Sequence, residues 1–214
     1  MIAQHSISGY IYDAPDQNES HAYLLPMLKA ELKSVELKLS GKKRVFDLGC
    51  GNGSIAAIVA AEGWGVTGVD PSDQGIDQGR RAYSHLRLDR GSAYDDLAEK
   101  YGRFPVAYSL EVIEHCYAPR DYARRMFDLL EPGGTAIIST PYHGYVKNLA
   151  MAITGKMDSH FTALWDHGHI KFWSFNTLRI LLKDAGFEDI RFRRVGRIAP
   201  LAKSMFAIAR KPSA

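Results

Sequence analysis

Apolar residues recur along this chain with two alternating periods, and the alternation predicts its elements. Between residues 20 and 39, Leu24, Leu25, Leu28, Leu32, Val35 and Leu39 fall at helical spacing, with Ser20 placed to cap the start and Gly41 to stop the end. Short apolar runs at 44–48, 65–69, 86–90, 105–110 and 134–139 read as strands. Helical patterns at 54–62, 73–84, 94–101 and 119–130 separate them. A further helix is expected at 174–185, opened by Ser174 and closed by Gly186, before two last strands near 187–195 and 201–210. Residues 142–168 break the rhythm.

Strands that alternate with helices predict a parallel sheet covered on both faces. The short turn between the last two strands makes them an antiparallel pair. The expected fold is therefore α/β: a Rossmann-like, doubly wound seven-stranded sheet, mostly parallel with an antiparallel C-terminal strand. No repeat, low-complexity tract or linker divides the chain, so residues 1–214 are expected to form a single domain. Within it, 1–40 would be an N-terminal helical cap and 142–173 an insertion acting as a substrate lid.

Composition removes several classes. A net charge of +3 is too small to argue for nucleic acid. No apolar run approaches the roughly 18 residues of a membrane span. The opening Met1-Ile2-Ala3-Gln4-His5 lacks the basic and apolar regions of a signal peptide. Two cysteines, Cys50 and Cys116, make no disulfide framework, so a reducing cytoplasm with free thiols is expected.

The richest chemistry lies in Val45-Phe46-Asp47-Leu48-Gly49-Cys50-Gly51-Asn52-Gly53-Ser54, where an apolar strand runs through a glycine turn into a helix. Glycine lets a ligand touch the backbone, and a turn at the carboxyl end of a strand is where open α/β sheets place ligands. The spacing differs from the dinucleotide pattern G-x-G-x-x-G. Asp47 beside the loop is a poor neighbour for a pyrophosphate and suits a cofactor with an amino group. Asp70, ending the second strand, suits ribose hydroxyls. Together the two acids describe a nucleoside bearing an amino acid, S-adenosylmethionine.

Residues 45–54, Gly68-Val69-Asp70-Pro71, Ser109-Leu110-Glu111-Val112-Ile113-Glu114-His115 and Leu130-Glu131-Pro132-Gly133-Gly134 resemble the successive motifs of class I S-adenosylmethionine-dependent methyltransferases. The resemblance covers about residues 43–141. It implies that Asp47, Gly49, Cys50, Gly51, Asn52 and Gly53 form the cofactor loop, Cys50 as a small packing residue. Asp70 would hold the ribose and Pro71 the adenine edge, with Ser92 and Ala93 beside the adenine. Asp95 and Asp96 come slightly late for the acid many relatives carry there. Leu110, Glu111 and His115 would lie near the sulfonium.

Glu111, Glu114 and His115 are spaced i, i+3, i+4, so a helix beginning here would present all three on one face. Such a set suits Mg²⁺ or another cation accepting oxygen and nitrogen ligands. Two other readings stand beside it: His115 alone as a base, or a structural role for the group. His143, His160, His167 and His169 are four of the chain's eight histidines, with Asp158 and Asp166 among them. The string Glu-x-x-Glu-His resembles the ubiquinone-biosynthesis O-methyltransferases and the small-RNA 2′-O-methyltransferases. Trp165-Asp166-His167-Gly168-His169-Ile170-Lys171-Phe172 is similar to the former, which makes His167 the preferred fourth ligand or catalytic partner and His169 the second choice.

Tyr142, Tyr145, Phe161, Trp165, Phe172 and Trp173 interleave with these histidines, as walls for a flat acceptor. Residues 146–153 form an amphipathic helix either at the pocket mouth or packed in the core. Residues 1–40 do not match the ubiquinone enzymes, although Tyr10, Tyr12, His21 and Tyr23 are candidates to fold over the site. The expectation is O-methylation of a small aromatic or hydroxylated molecule such as a ubiquinone-precursor-like catechol. The alternatives are a non-catalytic S-adenosylmethionine-binding module, a dehydrogenase, or transfer to RNA 2′-hydroxyls, a sugar, a lipid or an amine. Arg191, Arg193, Arg194 and Arg197 are the only basic run that favours RNA, and solvation explains them as well. The oligomeric state stays open.

Overall fold

The computed structural model describes Tyr12, residues 20–166 and residues 168–213. The described elements run α1 His21–Glu36, β1 Arg44–Leu48, α2 Ser54–Ala61, β2 Gly65–Asp70, α3 Asp73–Ala82, β3 Arg87–Arg90, α4 Leu97–Tyr101 and β4 Phe104–Leu110. A 3-10 turn at Ile113–His115 precedes α5 Pro119–Asp128, β5 Leu130–Pro141, α6 Tyr145–Ile153, α7 Met157–Phe161 and α8 Phe175–Asp184. The chain ends through β6 Glu188–Val195, a 3-10 turn at Ala199–Leu201 and β7 Ser204–Arg210.

The seven strands form one sheet in the order β3-β2-β1-β4-β5-β7-β6. The pairings among β1 to β5 are parallel, and β7 runs antiparallel to both β5 and β6. The fold expected from the alternation of periods is the one observed. Each face of the sheet has its own core. Leu24, Leu28 and Leu32 of α1 pack with α2 and α3 residues over one face, while Tyr122, Met126, Leu178 and Leu182 cover the other. Burying one such leucine contributes about 1.5–3 kcal/mol.

Three boundaries differ from expectation. Ser20 stands at the start of α1 in helical backbone and makes no capping bond, because a cap needs an extended residue there. α1 ends at Glu36, before Gly41; Lys38 N and Leu39 N then bond to the Val35 and Glu36 carbonyls in tighter turns, which prolongs the apolar period without the helix. α4 starts late because residues before it build a turn: Ser92 N donates to Asp95 Oδ2 at 2.7 Å, and Asp96 caps Glu99 N at 3.2 Å. Ser174 does cap α8, in a reciprocal box with Thr177.

Candidate functional site

Strand order reverses between β1 and β4, and the loops after these two strands meet at the carboxyl edge of the sheet, where open α/β sheets place their ligands. In the first loop Gly49, Gly51 and Gly53 adopt φ of +87°, +54° and +76°. A Cβ on Gly49 would collide with Val112, and one on Gly53 would stand 2.5 Å from Leu88 Cδ1. Gly68, quoted in its motif without a role, and Gly79, which sequence reasoning passed over, are just as constrained. A Cβ on Gly68 would lie 2.8 Å from Cys50 Cβ, and one on Gly79 would lie 2.6 Å from the Asn52 carbonyl oxygen. Cys50 therefore packs against β2, and burial raises its thiol well above the ordinary range. Asn52 Oδ1 accepts from Ser54 N at 3.1 Å and opens α2.

Asp47 is buried between Gly68 and Tyr108 in the neighbouring strands. The Tyr108 hydroxyl donates to its Oδ2 at 2.8 Å, yet burial pushes the carboxyl up to about 8. Asp70 accepts from Gly51 N at 2.9 Å and Ser72 N at 2.8 Å, so it ties the glycine loop to the end of β2. Burial raises its pKa as well. Ser72 caps α3 through Gly75 N. Tyr12 is clamped over this edge: its carbonyl accepts from Gln74 Nε2 at 3.1 Å and Gln78 Nε2 at 2.9 Å, and its ring approaches Gly51 and Gly75. Pro71 follows Asp70, Ser92 and Ala93 follow β3, and Leu110 ends β4. Asp96 turns away to Arg125 at 3.2 Å.

After β4 the backbone departs from the helical expectation. Glu111 has φ +54°, and only Ile113–His115 winds into a turn, so Glu111 does not share a face with Glu114 and His115. Its carboxylate accepts from Ser139 Oγ at 2.7 Å and Ser204 Oγ at 3.0 Å, and burial pushes it up to about 7. Ser204 in turn meets the Tyr23 hydroxyl of α1 at 3.4 Å. Glu114 is buried; Thr140 Oγ1 donates to its Oε2 at 3.0 Å, while its Oε1 has no partner among the described residues. Burial, with the nearby Glu111 charge, holds its carboxyl far above the usual range. Ser139, Thr140 and Ser204 escaped sequence reasoning; the small polar pair ending β5 was the available signal.

The segment 142–173 divides into two ring clusters. His115 meets Trp165 and His169 edge to face, Trp165 and His169 are tilted on each other, and the His115 and His169 centroids are 4.9 Å apart. His115 Nδ1 lies 3.2 Å from the Gly168 carbonyl, and the Glu114 carbonyl accepts from Ile170 N and Lys171 N. His143 joins His160, Phe161 and Phe172 in the second cluster. Burial lowers both His143 and His169 to about 4. Candidate ligand atoms of Glu114, His115 and His169 lie within 4.8 Å of one another. His169 thus enters the group in which His167 was preferred; His167 lies outside the described residues, as does Tyr10. Tyr142 and Trp173 join the core, and Tyr145 is exposed, so these three are not free walls of a pocket.

A family model described as a methyltransferase domain matches residues 21–191. The ubiquinone biosynthesis O-methyltransferase of Ruegeria pomeroyi is 34% identical over 151 residues, 69% of this chain and 60% of that protein. The chain therefore spans about three fifths of the length of such curated relatives. Among solved structures, the methyltransferase domain of bacterial CtHen1 is similar with a TM-score of 0.67 and 20% identity, covering 90% of this chain and 100% of that one. Phosphoethanolamine N-methyltransferase 2 of Haemonchus contortus, solved with S-adenosyl-L-methionine, gives 0.60 at 16% identity over 86% of this chain and 52% of that one. Identities this low establish the shared fold.

Proposed function

Since this chain belongs to the methyltransferase-domain family, we propose that it transfers the methyl group of S-adenosylmethionine to a hydroxyl of a small aromatic or hydroxylated acceptor, a ubiquinone-precursor-like catechol being the first to try. The observation that carries this reading is that the glycine loop and the turn holding His115, fixed by the Gly168 carbonyl, follow the carboxyl ends of the paired strands β1 and β4. Gly49 to Gly53 admit the methionine part to the backbone, Asp70 takes the ribose with its remaining lone pairs, and Asp47 faces the amino group. Residues 142–173 serve as the acceptor lid.

With Nδ1 donating to Gly168, the basic lone pair of His115 is on Nε2. From there it accepts the acceptor's hydroxyl proton as the oxygen attacks in line. Glu111, neutral or charged near pH 7, is held in place by the buried Ser139 and Ser204 hydroxyls and orients the acceptor hydroxyl with its own carboxyl group. Glu114, His115 and His169 also fit a divalent cation, because Glu114 Oε1 lacks a partner among the described residues and the donors converge. One carboxylate and two imidazoles suit a borderline transition metal better than Mg²⁺, which prefers oxygen. A cation held there would supply Lewis acidity to an acceptor hydroxyl. His115 has one lone pair to give, so ligand and base are exclusive roles for it.

Methyl transfer from labelled S-adenosylmethionine to a catechol panel, with chelator, Mg²⁺ or Mn²⁺, tests the reading. O-methyl product is expected. Transfer that survives chelator assigns His115 as base, and transfer that needs Mn²⁺ assigns it as ligand. Cofactor binding with no transfer to any hydroxyl acceptor would overturn O-methylation.

A further inference from the structure

Asp47 and Tyr108 break the apolar run of the two central strands. β1 and β4 have a strand on either side, and such strands are ordinarily apolar, as Val45, Phe46, Leu48, Val106 and Ala107 are here. The register sets Asp47 opposite Tyr108, and opposite positions of a parallel pair share one face of the sheet. Asp47 is 2% exposed and Tyr108 is fully buried. The Tyr108 hydroxyl donates to Asp47 Oδ2 at 2.8 Å. Packing alone does not ask for such a pair. The neighbouring Ser109 hydroxyl is satisfied by the Leu48 carbonyl at 2.7 Å, and a carboxylate costs far more to bury than a carbonyl.

The surroundings of Asp47 favour its charge at one point only. Gly68, opposite it in β2, has no side chain to offer. The titratable groups that act on it are Tyr108 from β4, Asp70 from the end of β2 and Cys50 from the glycine loop. None of these is a cation. A negative charge on Asp70 or Cys50 disfavours one on Asp47, and burial disfavours it further; the Tyr108 hydroxyl alone among them favours the carboxylate. Asp70 is built differently, since two backbone N–H groups hold it whatever side chains surround it.

We propose that Tyr108 is a positioning residue for the cofactor: its hydroxyl aims the Asp47 carboxyl at the ammonium of S-adenosylmethionine and sets the protein's preference for ligands that bear that group. This rests on the assignment of Asp47 to the amino end of the cofactor. A carboxylate meeting an ammonium gains from its charge, and one beside a nucleoside without an amino acid does not. The preference therefore rises with pH as Asp47 ionises, and Tyr108 brings that rise down toward neutrality.

Calorimetric titration with S-adenosylhomocysteine and with 5′-methylthioadenosine, the same thioether nucleoside without the amino acid, reads the preference from about pH 6 to about pH 9. In the wild type, affinity for S-adenosylhomocysteine should rise over this range and affinity for 5′-methylthioadenosine should not. Tyr108→Phe is expected to weaken S-adenosylhomocysteine binding at pH 7 by about tenfold and to move the rise up by about one pH unit. Its affinity for 5′-methylthioadenosine should stay within about twofold of wild type. Asp47→Asn should abolish the rise, and adding Tyr108→Phe to it should change nothing more. Cooperative melting establishes that each variant folds. Replacing tyrosine by 3-fluorotyrosine, a stronger hydroxyl donor in the unaltered chain, should move the rise to lower pH whether or not Tyr108→Phe folds. An unmoved rise in Tyr108→Phe, or equal losses for the two ligands, would overturn the proposal while Asp47→Asn still abolishes the preference. A preference that survives in Asp47→Asn would overturn both the proposal and the assignment of Asp47 on which it rests.

Discussion

At the end assigned to the cofactor, the acids are satisfied within the protein: Asp70 takes two backbone N–H groups and Asp47 a tyrosine hydroxyl. At the end assigned to the acceptor, Glu114 Oε1 and Trp173 Nε1 find no hydrogen-bond partner among the described residues. Buried polar atoms left this way are costly, about 1–3 kcal/mol each. The first end is preorganised by backbone and glycine; the second keeps polar capacity for a ligand, at a cost to stability. Binding of cofactor and chemistry on the acceptor should therefore separate in mutants.

The largest effects belong to the acceptor end. His115→Ala is expected to lower turnover by about 100- to 10,000-fold while S-adenosylhomocysteine affinity stays within about twofold. Steady-state kinetics beside calorimetry reads both, and a parallel loss of affinity would break the separation. At the other end, Gly49→Ala meets Val112 at positive φ. It is expected to weaken cofactor binding by on the order of 100-fold and destabilise the fold by about 1–3 kcal/mol, measured by titration and denaturant melts.

Asp47 sharpens the comparison through pH. Its folded value, about 8, lies above its ordinary 3.8, so the folded protein holds this proton where the unfolded chain has released it. The stability it contributes is full below about pH 4 and is lost as pH rises through about 8. Melting temperature against pH should flatten over that window in Asp47→Asn. The cofactor's ammonium favours the ionised form, so wild-type affinity for S-adenosylhomocysteine should rise about fivefold between pH 7 and 8, and Asp47→Asn should show no such rise. The smallest effect is expected away from both ends: Arg191→Ala breaks the pair with Glu31 at 3.4 Å and should change stability by less than about 1 kcal/mol, with unchanged turnover.

What was legible in the sequence was local. The apolar periods encode strands and helices, and the turn of Gly49, Gly51 and Gly53 carries its own conformational requirement. The rest depends on register. Gly68 matters because the fold sets it against Cys50 of the glycine loop and Leu88 of β3, and Ser204 matters because β7 returns antiparallel beside β5, reaching Glu111 across 93 positions of sequence. Glu111 itself misled, since i, i+3, i+4 spacing implies one face only if the backbone is already helical. His169 was visible as one of several histidines, but its edge contact with His115 depends on how Ile170 and Lys171 bond back to the Glu114 carbonyl.

Calorimetric titration of the wild-type protein with S-adenosylhomocysteine tests the central claim most directly. Saturable binding in the micromolar range at one site, weakened by Gly49→Ala, is the predicted result. No heat of binding at millimolar ligand, from protein that melts cooperatively, would contradict the account.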